Sequence, residues 1–289
     1  MKRTLSSILC LFAVAMAAHG DITFTMKDGK VVTVKSLRRQ GDNLMGTVEM
    51  TPAQEGKPAQ TGELGYPVAQ VAKIDFPEPP QLKTAADLIT KGKATDALAQ
   101  IEPVLKYYEG FRDAPGSWWA DLALLKVQAF VSQGRDADVE PIIQQIYRLA
   151  TDPETTRAAK TLSAAGFVRR GEPAKALELC NVVLKESTRP ETLAQAYITS
   201  GQSHLALKEW DPALISFLEI PVFYPDSKVL QPPSMLGAGQ AYEALQDFTR
   251  AKATLNDLIG TYGATAEAKQ AKVELEKIAR TEKALDLVK

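Results

Sequence analysis

The feature that most constrains the fold of this 289-residue chain is a stretch that it repeats. Residues 239–251, GQAYEALQDFTRA, follow residues 201–213, GQSHLALKEWDPA, at a distance of 38, and five of the thirteen positions are identical. Each copy begins with a Gly and ends with an Ala twelve residues later. Pairs of small or β-branched residues at this spacing occur five times: Ala85 with Ala97, Val127 with Val139, Ala164 with Ala176, Gly201 with Ala213, and Gly239 with Ala251.

The distance between successive pairs predicts a solenoid of helix pairs. The first members lie 42, 37, 37 and 38 residues apart, a period typical of stacked helical repeats. Small residues are needed where two antiparallel helices cross closely, because a larger side chain would push the helices apart. Larger residues at fixed offsets fill the remaining space: Phe130, Phe167, His204 and Tyr242 in the first helices, and Ile101, Ile143, Cys180, Phe217 and Leu255 in the second. Thr84, Asp152-Pro153 and Asp211-Pro212 are predicted helix starts.

These registered copies resemble the tetratricopeptide repeat (TPR) family from Thr84 to the C-terminus. The last two repeats close with FYPDS (223–227) and TYGAT (261–265), again 38 residues apart. Such endings are similar to those of periplasmic TPR proteins, including the Tol–Pal-associated cell-division coordinator and the outer-membrane-assembly TPR lipoproteins. The resemblance implies about five helix pairs whose concave groove binds a peptide or protein segment. The charged residues 264–289 are predicted to form a helix that caps the last repeat.

The first twenty residues predict an exported protein. Lys2 and Arg3 precede an apolar stretch from Leu5 to Ala18, which is the pattern of a cleaved signal peptide and is too short to span a bilayer. Cleavage is expected after Ala17 or Gly20. Ser-Ile-Leu before Cys10 lacks the small residue of a lipobox, unlike the lipoproteins above. The predicted location is the periplasm, with secretion as the alternative.

Residues 21–78 have the two-residue alternation of strands and are predicted to form a small SH3-like β domain. Four or five short strands are expected, with a hairpin turn at Asp28-Gly29 and a polar loop over residues 51–63. PEPP at 77–80 interrupts the sheet, so residues 79–83 are predicted to be a proline-rich linker before the helical domain at 84–289. The expected fold class is therefore α+β.

Charge and cysteine content exclude several classes of partner. Removing the signal peptide leaves 32 basic residues (34 − 2) and 35 acidic residues, a net charge of −3. No basic patch is evident, so nucleic acid is not expected as a partner. An integral membrane span is not expected in the mature chain either. With Cys180 as the one cysteine of the mature chain, an intramolecular disulfide is impossible.

The chain offers few residues for chemistry, and we predict no catalytic activity, cofactor or metal. His204 occupies the place of Tyr242 in the next repeat and is interpreted as a packed residue. Cys180 takes a core position, and one His with one distant Cys cannot form a metal site. Trp118-Trp119 is interpreted as a structural anchor, with one ring buried and one partly exposed, or alternatively as an interface hot spot.

One polar pattern points to binding. The residues directly after the first small position are Gln128, Ala165, Gln202 and Gln240, and the resemblance places this position on the concave groove. Residues three or four further along complete the predicted site: Val131, Arg169, Leu205 and Glu243. Glutamine can both donate to and accept from a peptide backbone, so the row suits an extended peptide. A merely solvated polar row is the alternative.

The sequence therefore favours an exported, non-enzymatic scaffold for protein–protein interaction in the cell envelope. One alternative is an envelope hydrolase, or an accessory subunit of one, in which the repeats present substrate. It would require a pair of carboxylates in one pocket. Another is a structural assembly component whose groove is filled by a neighbouring copy.

Overall fold

The computed structural model describes residues 22–51 and 59–286, so the predicted signal peptide lies outside the described residues. The chain forms two compact units. The first comprises the described residues up to Pro79 together with Ala114–Ser117, and the second comprises Pro80–Asp113 and the described residues from Trp118 onward. The expected α+β class, a small β region followed by a helical solenoid, is confirmed.

The β unit contains two three-stranded antiparallel sheets. Their orders are β2-β1-β6 and β3-β4-β5, and the strands are β1 (Ile22–Met26), β2 (Val31–Val34), β3 (Ser36–Gln40), β4 (Asn43–Thr51), β5 (Gln60–Pro67) and β6 (Val71–Asp75). The expected turn is present, since Gly29 has φ +87° and Met26 N–H donates to Lys30 O at 2.8 Å. The alternating apolar residues meet in a core around Phe24, Leu44 and Ile74, each at most 1% exposed.

The described β unit has six strands rather than four or five. The predicted loop over 51–63 is wrong at both ends, because Thr51 belongs to β4 and Gln60–Glu63 belong to β5, which pairs with β4. Backbone hydrogen bonds to the neighbouring strand outweigh the polar composition of this segment. Residues 52–58 of that loop lie outside the described residues.

The second unit forms the five predicted helix pairs and a final helix. The pairs are α1 (Gln81–Thr90) with α2 (Ala94–Tyr108), α3 (Trp119–Ser132) with α4 (Asp136–Leu149), α5 (Pro153–Arg169) with α6 (Pro173–Glu186), α7 (Pro190–Ala206) with α8 (Trp210–Phe223), and α9 (Gln231–Ala244) with α10 (Phe248–Tyr262). They are followed by α11 (Ala266–Asp286). Because α1 starts at Gln81, the last three residues of the predicted linker are helical.

The small positions lie where the helices touch. Ala85, Ala97, Ala164, Ala176, Ala213 and Ala251 are all 0% exposed. A Cβ added to Gly239 would lie 2.6 Å from Leu255 Cδ2, and one added to Gly237 would lie 2.3 Å from the Phe217 ring. The close approach predicted from the repeat is therefore confirmed, and it depends on the missing side chain.

Each pair is joined by the same turn. The residue eight positions after the first small residue donates its N–H to the carbonyl five residues back, as in Arg135 to Phe130 O at 2.9 Å and Glu209 to His204 O at 2.9 Å. This is the helix C-cap that requires a left-handed residue just before the donor. Glycine fills that position in the first three pairs, but Lys208 and Gln246, both at φ +61°, fill it in the last two.

The predicted helix starts are only partly right. Asp152 caps α5 as expected, since its carboxylate accepts from Glu154 N–H and Thr155 N–H. Thr84 instead lies inside α1, where its hydroxyl is 2.8 Å from Gln100 Oε1. Asp211 lies inside α8, because that helix begins one residue earlier, at Trp210. The N-cap residues of these two helices are Pro80 and Glu209, and neither makes a side-chain cap hydrogen bond.

Candidate peptide-binding groove

The predicted groove residues lie on the first helices of successive pairs. α3, α5 and α7 each contact the first helix of the next pair, and α9 contacts α11. Residues that hold the same register on these helices therefore form one row across the repeats.

The row is open from α3 to α7. Gln128 and Gln202 are exposed, and neither side chain has a hydrogen-bond partner among the described residues. Ala165 between them is half-buried. Val131 and Leu205 are also half-buried and pack against the cores of their own repeats. The open part thus combines two free amides with apolar surface.

Arg169 contributes a fixed positive charge beside Ala165. Its Nε lies 3.0 Å from Asp136 Oδ1, so the end of α5 is tied to the start of α4. The hydrogen bond from Arg169 holds the pKa of the Asp136 carboxyl below its usual range. Because this guanidinium already has a carboxylate partner, it is ordered before any ligand arrives.

The α9 end of the row is already occupied. Gln240 Nε2 donates to Glu274 Oε1 of α11 at 2.8 Å, and Lys277 Nζ donates to Glu243 Oε1 at 3.0 Å. The bond to Glu243 raises the pKa of Lys277. Sequence reasoning predicted a capping helix at this place but missed these two contacts, because the partners lie 34 residues apart.

A polar network at the starts of α5 and α7 was not predicted from the sequence. Arg189 Nη2 lies 2.6 Å from Asp152 Oδ2, and Ser187 Oγ donates to Glu154 Oε2 at 2.7 Å. Burial raises the pKa of the Asp121 carboxyl nearby, an effect that the charge of Arg189 opposes. These contacts connect neighbouring repeats and so help to fix the spacing of the row.

The remaining candidates are structural. Cys180 is 0% exposed, and burial raises its pKa to about 12, which confirms the predicted core position. His204 is half-buried, and its Nδ1 lies 2.6 Å from Glu209 Oε2. Trp119 is buried and donates to Glu109 Oε2 at 2.9 Å, whereas Trp118 is half-buried.

No group of three or more His, Cys, Asp or Glu side chains within the described ranges is placed to hold a metal ion. No helix among residues 22–51 and 59–286 combines the length and apolar character needed to cross a membrane. The groove between α8, α9 and α10 contains one carboxylate, Asp257, rather than the pair that glycoside hydrolysis would require.

Comparison with known proteins identifies the last helix pair. Residues 234–265, which run from α9 through α10, match the tetratricopeptide repeat model. This stretch is therefore similar to a tetratricopeptide repeat. Such repeats are typical of scaffolds for protein–protein interaction rather than of enzymes.

Solved structures similar to this chain include a Podosopora anserina protein described as a kinesin light chain with nearly identical TPR-like repeats. It is 14% identical, with 64% of this chain and 95% of that chain covered at a TM-score of 0.44. A point variant of it is 13% identical, with 62% and 92% covered at a TM-score of 0.45. No curated protein matches the sequence.

Proposed function

We propose that this protein is an exported scaffold of the cell envelope that binds an extended peptide segment along the first helices α3, α5 and α7. The segment lies across Gln128, Ala165 and Gln202, where the two amides pair with its backbone. Val131 and Leu205 provide apolar contact, and Arg169 favours an acidic residue in the segment.

The observation that carries this proposal is the contrast between Gln240 and its two counterparts. Gln240 donates to the Glu274 carboxylate of α11, a helix that packs beside α9. Gln128 and Gln202 occupy the same register on α3 and α7 but are exposed. The position is thus one at which this solenoid contacts polypeptide, and two of its amides are available to a partner.

A site-specific photocrosslinker at position 202, in cells that export the protein, tests this proposal. Asn181 provides the matched control, because it is an exposed amide on α6 that lies outside the row. We expect a discrete adduct from position 202 and none from position 181. Equal labelling from both positions, or no adduct from either, would refute binding along the row.

Substitution of the free amides provides the second test. The double variant Gln128→Ala/Gln202→Ala should change the free energy of unfolding by less than about 0.5 kcal/mol. It should weaken partner capture by roughly 0.5–1.5 kcal/mol for each hydrogen bond lost. Asn181→Ala should change neither property. Cell fractionation with N-terminal sequencing tests export separately, and a mature chain that starts between Ala18 and Asp21 is the expected result.

A further inference from the structure

The outward side of α8 differs from that of every other second helix. Two, five and nine residues after its small residue Ala213, α8 carries Ile215, Leu218 and Val222. The same positions hold only Ala, Pro or polar side chains in α2 and α4. In the flanking helices they are Glu178, Asn181 and Lys185 of α6 and Ala253, Asn256 and Gly260 of α10.

Two of these three side chains are largely exposed to solvent, whereas Leu218 is half-buried and packs against the core. Ile215 is 62% exposed and Val222 is 64% exposed, while Phe217 and Ile220 on the opposite side of α8 are buried in the core. A helix that is apolar on all sides is normally covered on all sides. The second helices of the other repeats pack into the solenoid without large apolar residues at these positions. Packing of the repeats therefore does not require the apolar stripe formed by Ile215, Leu218 and Val222.

The stripe borders a groove of about 520 Å³. Leu218 and Pro221 of α8 form one wall, Ala253 and Asp257 of α10 form the other, and Met235 of α9 lies between them. On the α10 side the upper lining residues Ala253 and Thr254 are short, whereas Tyr262 closes the other end of the groove.

The negative charge of the groove indicates which kind of partner it can bind. Asp257 is the one charged residue among those that line the groove. It accepts a hydrogen bond from the Thr261 hydroxyl at 3.3 Å, and no cation in the described part of the chain pairs with it. The residues that line the groove include no Lys or Arg. In a two-fold contact, a second copy would bring its own Asp257 to the same surface, whereas a basic segment would complement the Asp257 carboxylate.

We infer that the groove between α8 and α10 binds an amphipathic helix of a partner protein. Its apolar side chains cover Ile215 and Val222, and a basic side chain reaches Asp257. The surface belongs to the second helices of the repeats, so it is distinct from the row on the first helices. A scaffold with both surfaces can hold two proteins at once.

The test uses a phage-displayed library of 16-residue peptides, selected on the mature protein. The key variant combines Ile215→Glu with Val222→Lys, which installs the residues that α6 carries at these positions. Both residues are more than 60% exposed, so the fold should be retained, and the melting curve verifies this. We expect enriched peptides with apolar residues at helical spacing next to Lys or Arg.

A selected peptide should bind the Ile215→Glu/Val222→Lys variant about tenfold or more weakly. Asp257→Asn should weaken it about threefold to tenfold. The matched control, Glu178→Lys with Lys185→Glu on α6, should leave the affinity unchanged. No enrichment, equal affinity for all variants, or peptides without basic residues would overturn the inference. Concentration-dependent dimerisation that the α8 variant abolishes would overturn it too, since the occupant would then be a second copy.

Discussion

A single hydrogen bond between α8 and α9 gives a sharp test of how the fourth and fifth repeats are held together. Pro221 lies inside α8 and has no N–H, so the carbonyl of Phe217 lacks its usual partner four residues later. Ser234 of α9 replaces that partner, because its Oγ donates to Phe217 O at 2.6 Å. Ser234 and Phe217 are each 1% exposed, so water cannot take over the role.

Ser234→Ala should therefore destabilise the protein by about 1–3 kcal/mol, the penalty for leaving a buried acceptor unpaired. Pro221→Ala returns an N–H to the helix ladder. In that background the same serine substitution should lose less than about 1 kcal/mol, so the coupling between the two sites should be about 1 kcal/mol or more. Denaturant unfolding followed by circular dichroism measures all four proteins, and an unchanged m-value shows that the same structure is being compared.

Ser216→Ala is the matched control within α8. Its hydroxyl donates to Pro212 O at 2.8 Å, but that carbonyl also belongs to the regular helix ladder. We expect a loss below about 1 kcal/mol that does not depend on Pro221. An equal loss for Ser234→Ala in both backgrounds would show that the serine acts through packing rather than by satisfying the freed carbonyl.

Three further predictions follow from the helical unit. Lys208→Gly should stabilise the unit by up to about 1 kcal/mol in thermal unfolding, because a residue in the left-handed region is strained unless it is Gly. Gly171 has the same backbone conformation and open space around an added Cβ, so Gly171→Ala should destabilise the unit by about 1 kcal/mol. Effects of the same sign in the two variants would contradict this explanation. The Cys180 thiol, with its pKa raised to about 12, should resist alkylation at pH 8 until the protein unfolds, and rapid labelling of the native protein would disprove its burial. The lowered pKa of Asp136 contributes stability that is present above its unfolded pKa of about 4 and is lost as pH falls through the folded value. Asp136→Asn should therefore flatten the acid side of the stability curve, and an unchanged acid limb would show that the pair with Arg169 contributes nothing.

The predicted site illustrates how far the repeat pattern reaches. The register that places Gln128, Gln202 and Gln240 at equivalent positions could be read from the spacing alone. Their different environments could not, because Gln240 is paired with Glu274 and the other two are exposed. A repeat specifies which positions correspond, but it does not specify which neighbour covers each of them.

The unusual apolar residues on the outward side of α8 could have been recognised from the sequence. Aligning the second helices at their small residues already sets Ile215 and Val222 against Glu178 and Lys185. The alignment does not show whether these two side chains are exposed, because an apolar residue at such a position could equally be covered by the next repeat. In the structure Ile215 is 62% exposed and Val222 is 64% exposed, so the next repeat does not cover them.

The sequence by itself determined the helix pairs, their number and the buried small residues of this protein. Helical periodicity is set by neighbours three and four positions apart, and the same demand for close packing recurs in each repeat. Only the tertiary structure decided that Gln60–Glu63 extend a strand, that Ser234 completes the broken ladder of α8, and that Glu274 and Lys277 of α11 pair with Gln240 and Glu243. Those outcomes depend on groups brought together from distant parts of the chain, and local pattern carries no information about which groups will meet.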